Sequence, residues 1–301
     1  MNTSIEVNGV ARLVQYTLID SWTLAYTVVT SLALIWHWSN LSLALQLSLP
    51  LAHGLILYCL YSMPKIRKRG AAGQFLGNWY PYLLILIFYS EVGQLNQAGG
   101  RSFDEPIQLM ESWIFGSQVA IEWIRAWPDP LFSWLANLSY SLYYFIVVGT
   151  PMLVSRVVSH EAGQKLLLMA LIAFYVSYTV FLVMPVAGPL YQFPQVDNIA
   201  TQTGAAVIVS WLLKVGDAWG SAFPSAHVAV TTILTVGSFM EHKRIGLFLL
   251  PLMIMLILAT VYAQIHYAVD ALAGLVLAGL ILVFRRQLTH GLYQDVCRAG
   301  D

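Results

Sequence analysis

The chain has 301 residues, 58% of them hydrophobic and only 10% charged. Soluble globular domains carry about 25% charged residues, so this composition excludes them and describes an all-α, polytopic membrane bundle. Fifteen Lys and Arg balance fifteen Asp and Glu without any basic or acidic block, which gives no reason to expect a nucleic-acid partner.

The first 20 residues mix polar and apolar types, with no positive start and apolar core, so they do not read as a removable signal peptide. A bilayer-crossing helix needs about 20 mostly apolar residues. On that rule about eight spans are expected, near 19–38, 43–62, 79–96, 131–155, 166–186, 222–240, 245–263 and 267–284. Cys59 lies in the second of these and Cys297 near the C-terminus. Two such cysteines make neither a disulfide framework nor a metal-ligand spacing, and no metal or cofactor is expected. Glu91 falls late in the third span, where a carboxylate is costly unless partnered. It is expected either to accept a headgroup hydroxyl or to be held in a buried pair. The stretch 97–130 mixes Trp113, Trp123 and Trp127 with Asp104, Glu105, Glu111, Glu122 and Arg125, which suits an interfacial helix. The stretch 187–220 carries Gly188-Pro189 and Phe193-Pro194, and its apolar run from Ala205 to Leu213 is too short to cross.

Basic residues set the direction. With the N-terminus in the cytoplasm, Arg12, Lys65, Arg67, Lys68, Arg69, Arg156, Lys165, Lys243, Arg244, Arg285, Arg286 and Arg298 lie inside, and only Arg101, Arg125 and Lys214 outside. This follows the positive-inside rule. Both termini are then cytoplasmic in a plasma, inner or Golgi-type membrane. The chain reads as one membrane domain over 1–301: an N-terminal helical pair (1–78), an accessory span plus outer interfacial helix (79–155), and a C-terminal core (165–284).

That core carries two polar motifs, Phe223-Pro224-Ser225-Ala226-His227 and His266-Tyr267-Ala268-Val269-Asp270. Both are placed on the outer, periplasmic or lumenal side. His266 and Asp270 share one face of a helix at i, i+4, so the carboxylate can orient the imidazole. A histidine so held can attack phosphorus, while a second histidine serves as general acid and then base. Pro224 presets a helix start and Ser225 suits its N-cap, and the amides that follow, from Ala226 on, suit an anion. Tyr262, Tyr267 and Gln264 flank His266 as candidate phosphate or substrate contacts. Arg101, Arg125 and Lys214 are the outer basic residues available as phosphate clamps or as solvated interface residues. His37, His53, His160, His242 and His290 read as structural.

With those residues in view, the sequence resembles the type 2 phosphatidic acid phosphatase superfamily, whose second motif is Pro-Ser-Gly-His and whose third is Ser-Arg-x5-His-x3-Asp. Here they read Pro224-Ser225-Ala226-His227 and Ala259-Thr260, then His266 and Asp270. The resemblance implies that His266 is the nucleophile, Asp270 its partner and His227 the general acid/base. Ala226 replaces Gly, Ala259 and Thr260 replace the Ser and Arg, and the first motif, Lys-x6-Arg-Pro, has no counterpart between Tyr178 and Pro189. A phosphate dianion usually needs Arg or Lys clamps, whereas a phosphodiester carries one charge. The losses therefore point to the branch similar to inositol phosphorylceramide synthases and sphingomyelin synthases. Tyr89-x-Glu91-x-Gly93, Ile114-Phe115-Gly116 and Ser139-Tyr140-Ser141-Leu142-Tyr143-Tyr144 resemble the inositolphosphotransferase branch. The implied activity is transfer of a phosphate or inositol-phosphate-like headgroup from a phospholipid or lipid-phosphate substrate to a lipid hydroxyl acceptor through a phosphohistidine. The alternatives are a lipid phosphatase using water, and a catalytically silent lipid-binding or transport protein.

Overall fold

The computed structural model describes residues 17–290 and 292; Arg12, Cys297 and Arg298 lie outside the described residues. Every element among the described residues is helical, apart from a single parallel β-bridge between Val186 and Ser221. Helix α1 (Leu18–His37) opens on a capping box in which Thr17 Oγ1 accepts the Asp20 N–H and the Asp20 carboxylate accepts the Thr17 N–H. A one-turn 3-10 helix (Trp38–Asn40) leads to α2 (Leu43–Arg67), and α3 (Gly70–Trp79) follows. Arg67, at the end of α2, reaches back to Asp20 with two hydrogen bonds of 2.6 and 2.7 Å, and the Tyr80 hydroxyl adds a third at 2.7 Å. Asp20 is buried, so this bidentate pair is a charge-assisted clamp tying α1, α2 and the start of α4 (Pro81–Gly99).

The stretch expected as one interfacial helix over 97–130 is two, α5 (Asp104–Phe115) and α6 (Val119–Ala126), parted at Gly116 with φ 75°. The fourth expected span is also broken. Helices α7 (Pro130–Ser141) and α8 (Tyr143–Val157) bend by 49° across Leu142. Helix α9 (His160–Val183) is the hub of the bundle. Sixteen of its residues are buried, and it packs against α1, α4, α8, α12 and α14. The short α10 (Pro189–Gln192) and α11 (Gly204–Gly216) occupy the second long connection.

The last helices are α12 (Ala226–Glu241), α13 (Lys243–Tyr262), α14 (Ala268–Val283) and α15 (Arg285–Thr289). His242 alone joins α12 to α13, so the two pack as a hairpin with the start of α12 beside the end of α13. Helix α14 returns along α12. The close approach rests on Gly274, where a Cβ would lie 2.6 Å from the Ser225 carbonyl oxygen.

A helix or helix pair lies over each of the eight expected spans, but fewer meet the requirements for crossing. Among the described residues, four helices are long and apolar enough, α1 with its 3-10 turn, α2, α9 and α13, and the count is five if the bent α7–α8 pair is one span. Helices α12 and α14 are apolar but have only 16 residues each, and α4 does not qualify. The chain is thus an all-helical membrane protein with four to five candidate spans among the described residues.

Candidate active site

The site assembles where α12 begins and α13 ends. Ser225 is the N-cap of α12, its Oγ accepting the Val228 N–H at 3.4 Å. Ala226 is the first helical residue, so a side chain in place of glycine meets no backbone penalty there. His227 follows in the first turn. Its ring stacks on Tyr140 (centroids 5.0 Å apart, planes at 20°) and leans on Tyr143 at 4.2 Å. Neither of its ring nitrogens makes a hydrogen bond among the described residues.

His266 occupies the turn between α13 and α14. Gln264 adopts a left-handed φ of 58°, which lets the chain reverse sharply enough for the His266 N–H to reach the Thr260 carbonyl at 2.8 Å. The imidazole faces His227 with centroids 5.9 Å apart. Its Nδ1 lies 2.9 Å from the Ala222 carbonyl oxygen and 3.5 Å from Asp270 Oδ2. A carbonyl only accepts, so Nδ1 carries the proton and Nε2 keeps its lone pair. Asp270 shares the i, i+4 face as expected. Its nearest hydrogen bond, however, is from the Tyr267 N–H at 2.8 Å, and it stands beside the imidazole at ion-pair distance. The sharper orienting contact is the Ala222 carbonyl, which side-chain motifs do not reveal.

Two acids on α5 brace this turn, and neither was singled out from the sequence as a site residue. Glu111 is fully buried and accepts the Ala268 and Val269 N–H groups at 3.1 and 2.9 Å, capping the first turn of α14. Burial pushes its carboxyl above the usual carboxylate range, opposed by those amide donors. Asp104 accepts the Ala187 and Gly188 N–H groups, both at 2.8 Å, and the Tyr267 hydroxyl at 3.0 Å. Gly188 has φ 89°, and a Cβ there would press on Ala222 and on the Ile265 carbonyl, so glycine is required beside the His266 turn.

Other expected contacts lie elsewhere. Glu91 is buried against His53 Nε2 at 2.7 Å, and His53 also meets Thr30 and Ser31; this is the buried-pair alternative, with His53 as the partner. The Tyr262 hydroxyl donates to the Trp127 carbonyl at 2.8 Å, and Tyr267 is held by Asp104 and Gln108. Gln264 accepts from Arg125 at 2.9 Å and donates to the Pro189 and Pro194 carbonyls. Thr260, standing where Arg was expected, bonds its own helix through the Ile257 carbonyl. Arg125 is spent on Gln264, Ile121 and Pro194.

Both histidines and Ala226 open onto a cavity of about 270 Å³. It runs back between α4, α8 and α9, lined by Tyr82, Tyr89, Tyr143, Tyr144, Tyr178 and Phe174 among others, and its one charged side chain is Asp217. No Lys or Arg lines it. Glu91, Tyr262, Gln264, Tyr267 and Asp270 do not line it either.

A family model described as the PAP2 superfamily matches residues 107–284, more than half of the chain. The chain belongs to the PAP2 superfamily. No curated protein and no solved structure matches it. PAP2 proteins are generally phosphatases or phosphotransferases, so membership points to lipid phosphatase or phosphotransferase chemistry. The PAP2 match takes in Glu111, both histidine motifs and the whole of α12–α14; the tyrosines of α4 that complete the cavity lie before it.

Proposed function

We propose that this PAP2 protein is a membrane phosphotransferase moving a phospho-headgroup between lipids through a phosphohistidine. The observation that carries the reading is the pair of histidines on one cavity: His266 with its proton committed to the Ala222 carbonyl, and His227 with no hydrogen-bond partner for its ring among the described residues, in a chamber without a cationic side chain among the described residues. His266 Nε2 bonds to phosphorus as the bond to the donor lipid's oxygen breaks, and protonated His227 gives its proton to that oxygen. The ring of His266 becomes cationic, and Asp270 at 3.5 Å stabilises that charge. The acceptor hydroxyl then loses its proton to His227, its oxygen attacks phosphorus, and the N–P bond breaks to restore His266.

Transfer fits better than monoester hydrolysis because a dianion lacks Arg or Lys to hold it. The segments at 89–93, 114–116 and 139–144 support the inositolphosphotransferase branch, with an inositol-phosphate-like group as the cargo. We assign 165–284 as the core and 79–155 as the accessory segment that walls the cavity, with 1–78 an N-terminal helical pair, in one membrane domain of about eight spans.

The test uses purified protein with labelled phosphatidylinositol, phosphatidic acid or polyprenyl pyrophosphate, each with and without ceramide or diacylglycerol. A labelled lipid product that forms only when an acceptor lipid is present is expected. Free inorganic phosphate as the sole labelled product would overturn the transferase reading in favour of a phosphatase.

A further inference from the structure

Helices α6 and α14 both begin without a cap of their own. The first amides of a helix have no partner inside it and need an acceptor from elsewhere. Gln118, the N-cap of α6, makes no cap bond; its side chain donates to the Gln108 carbonyl and to Ser112 Oγ, both at 2.7 Å. Tyr267, the N-cap of α14, has its hydroxyl engaged by Asp104 and Gln108. One side chain serves both helices. Glu111 accepts the Ala268 N–H on Oε1 and the Val269 N–H on Oε2. The N–H groups of Ala120 and Val119, in the first turn of α6, add weaker hydrogen bonds to the same carboxylate. A carboxylate offers about four lone-pair sites, so these donors fill it.

The two helices stand on either side of the nucleophile's turn. Helix α14 starts just past His266 and carries Asp270 in its first turn. Helix α6 carries Arg125, which donates to Gln264 Oε1 at 2.9 Å and to the Pro194 carbonyl at 2.7 Å. It also carries Trp123, whose ring meets Tyr262 edge-on with centroids 5.4 Å apart. Gln264 is the left-handed residue that reverses the chain before His266. The turn from Tyr262 to Tyr267 is therefore held at its start by α6 and at its end by α14, and both helices are registered on one buried acid. Glu111 itself does not line the cavity, so whatever it contributes to the reaction passes through those two helices.

We infer that Glu111 is a positioning residue for His266, fixing the starts of α6 and α14 on one acceptor and so setting the aim of Nε2 at phosphorus. The inference rests on the reading of His266 as the nucleophile and deepens it. A cap with a structural role alone would cost stability and leave the surviving folded protein fully active. A positioning cap costs rate in the folded protein as well. Glu111→Gln keeps one acceptor oxygen and turns an NH2 group toward amides that need an acceptor, so it should rescue only part of the rate lost in Glu111→Ala.

The experiment compares full-length wild type, Glu111→Gln, Glu111→Ala and Ser159→Ala in detergent, well below their unfolding temperatures. Ser159 caps the far end of α9, its Oγ accepting the Ala162 N–H at 3.1 Å, and its loss is the control for removing a cap away from the site. Histidine-selective nitrogen labelling and NMR read the His266 ring without any lipid, the signal being assigned by its loss in His266→Ala. In Glu111→Ala kcat should fall by about ten- to a hundredfold, the scale of a small misplacement of a reacting group. KM should stay within about twofold, as for an interaction that matters in the transition state alone. Glu111→Gln should fall between Glu111→Ala and wild type, and Ser159→Ala should match wild type. The Nδ1–H signal of His266 should shift or broaden in both Glu111 variants and stay in place in Ser159→Ala. An unchanged His266 signal in both Glu111 variants overturns the inference, as does a kcat loss no greater than that of Ser159→Ala. If Glu111→Ala does not fold, Glu111→Gln decides by the same two readings. Turnover is counted as lipid product or as inorganic phosphate, whichever the wild type makes. Phosphate alone would therefore sink the transfer reading while this inference is still decided by its own ratio, and a protein inert toward every lipid is decided by the His266 signal.

Discussion

The tautomer of His266 is set by a backbone carbonyl, and that divides the work among the site's side chains. Because Ala222 already receives the Nδ1 proton at 2.9 Å, the proposed transfer leaves Asp270 to stabilise positive charge on the ring once Nε2 is bonded to phosphorus. His266→Ala should abolish turnover and covalent labelling together, since the atom that bonds phosphorus is gone. His227→Ala should slow turnover by about 10²–10⁴-fold, the usual worth of a positioned general acid/base. Asp270→Asn should lower kcat less than either, because Ala222 still holds the ring. A time course of turnover and of acid-labile protein-bound phosphate separates the three; Asp270→Asn proving as damaging as His266→Ala would show that Asp270, rather than the carbonyl, sets the tautomer. His227, His266 and Asp270 were legible in the sequence because ionisable groups at the ends of apolar helices are rare and their spacing is informative. Ala222 was not, since its contribution is a carbonyl that any residue supplies. Asp217 was not, since an acid in a loop is ordinary until the fold puts it in an aromatic chamber.

At the level of elements, the two histidines meet because α12 and α13 form a hairpin around one residue and α14 is drawn onto α12 at Gly274. A methyl there meets the Ser225 carbonyl at 2.6 Å, against the turn that carries His227. Gly274→Ala should therefore destabilise by about 1–3 kcal/mol through overpacking, and it should lower kcat as well, because the strain falls on the cap of α12. Thermal unfolding and turnover measured on the same preparation test this; full activity with unchanged stability would mean that the helices part without cost. Helix α5 acts on the other side. Glu111→Ala leaves two buried amides at the start of α14 unpaired, at about 1–3 kcal/mol for a buried group that loses its partner, while Glu111→Gln keeps an acceptor and should recover much of the loss. The helices themselves were readable from apolar length. The break at Leu142, the division of 97–130 and the docking of α5 acids onto α14 were not, because local composition does not say which amides a distant carboxylate will cap.

The whole molecule raises the question of which way the site faces. Helix α13 has 20 residues and crosses by length and composition. Its neighbours α12 and α14 have 16, or about 24 Å at 1.5 Å per residue, short of the roughly 30 Å hydrocarbon core. Helix α12 nonetheless packs along α13, and α14 along α12, so their ends lie near the same two levels. The start of α12, the end of α13 and the start of α14 then share one face, and the sign of that face follows from charge. Lys243-Arg244 and Arg285-Arg286 stand at the opposite ends of these helices. If basic residues stay in the cytoplasm, the cavity opens outward. The expectation is tested in sealed vesicles of known orientation, with Cys59 and Cys297 replaced by Ser and one new cysteine at a time. Gln195→Cys, in the loop held by Arg125 and Gln264, should react with a membrane-impermeant maleimide from the outer side. Lys68→Cys should react only after permeabilisation. The reverse pattern would put the histidines in the cytoplasm, and a lipid donor and acceptor would then be drawn from the inner leaflet.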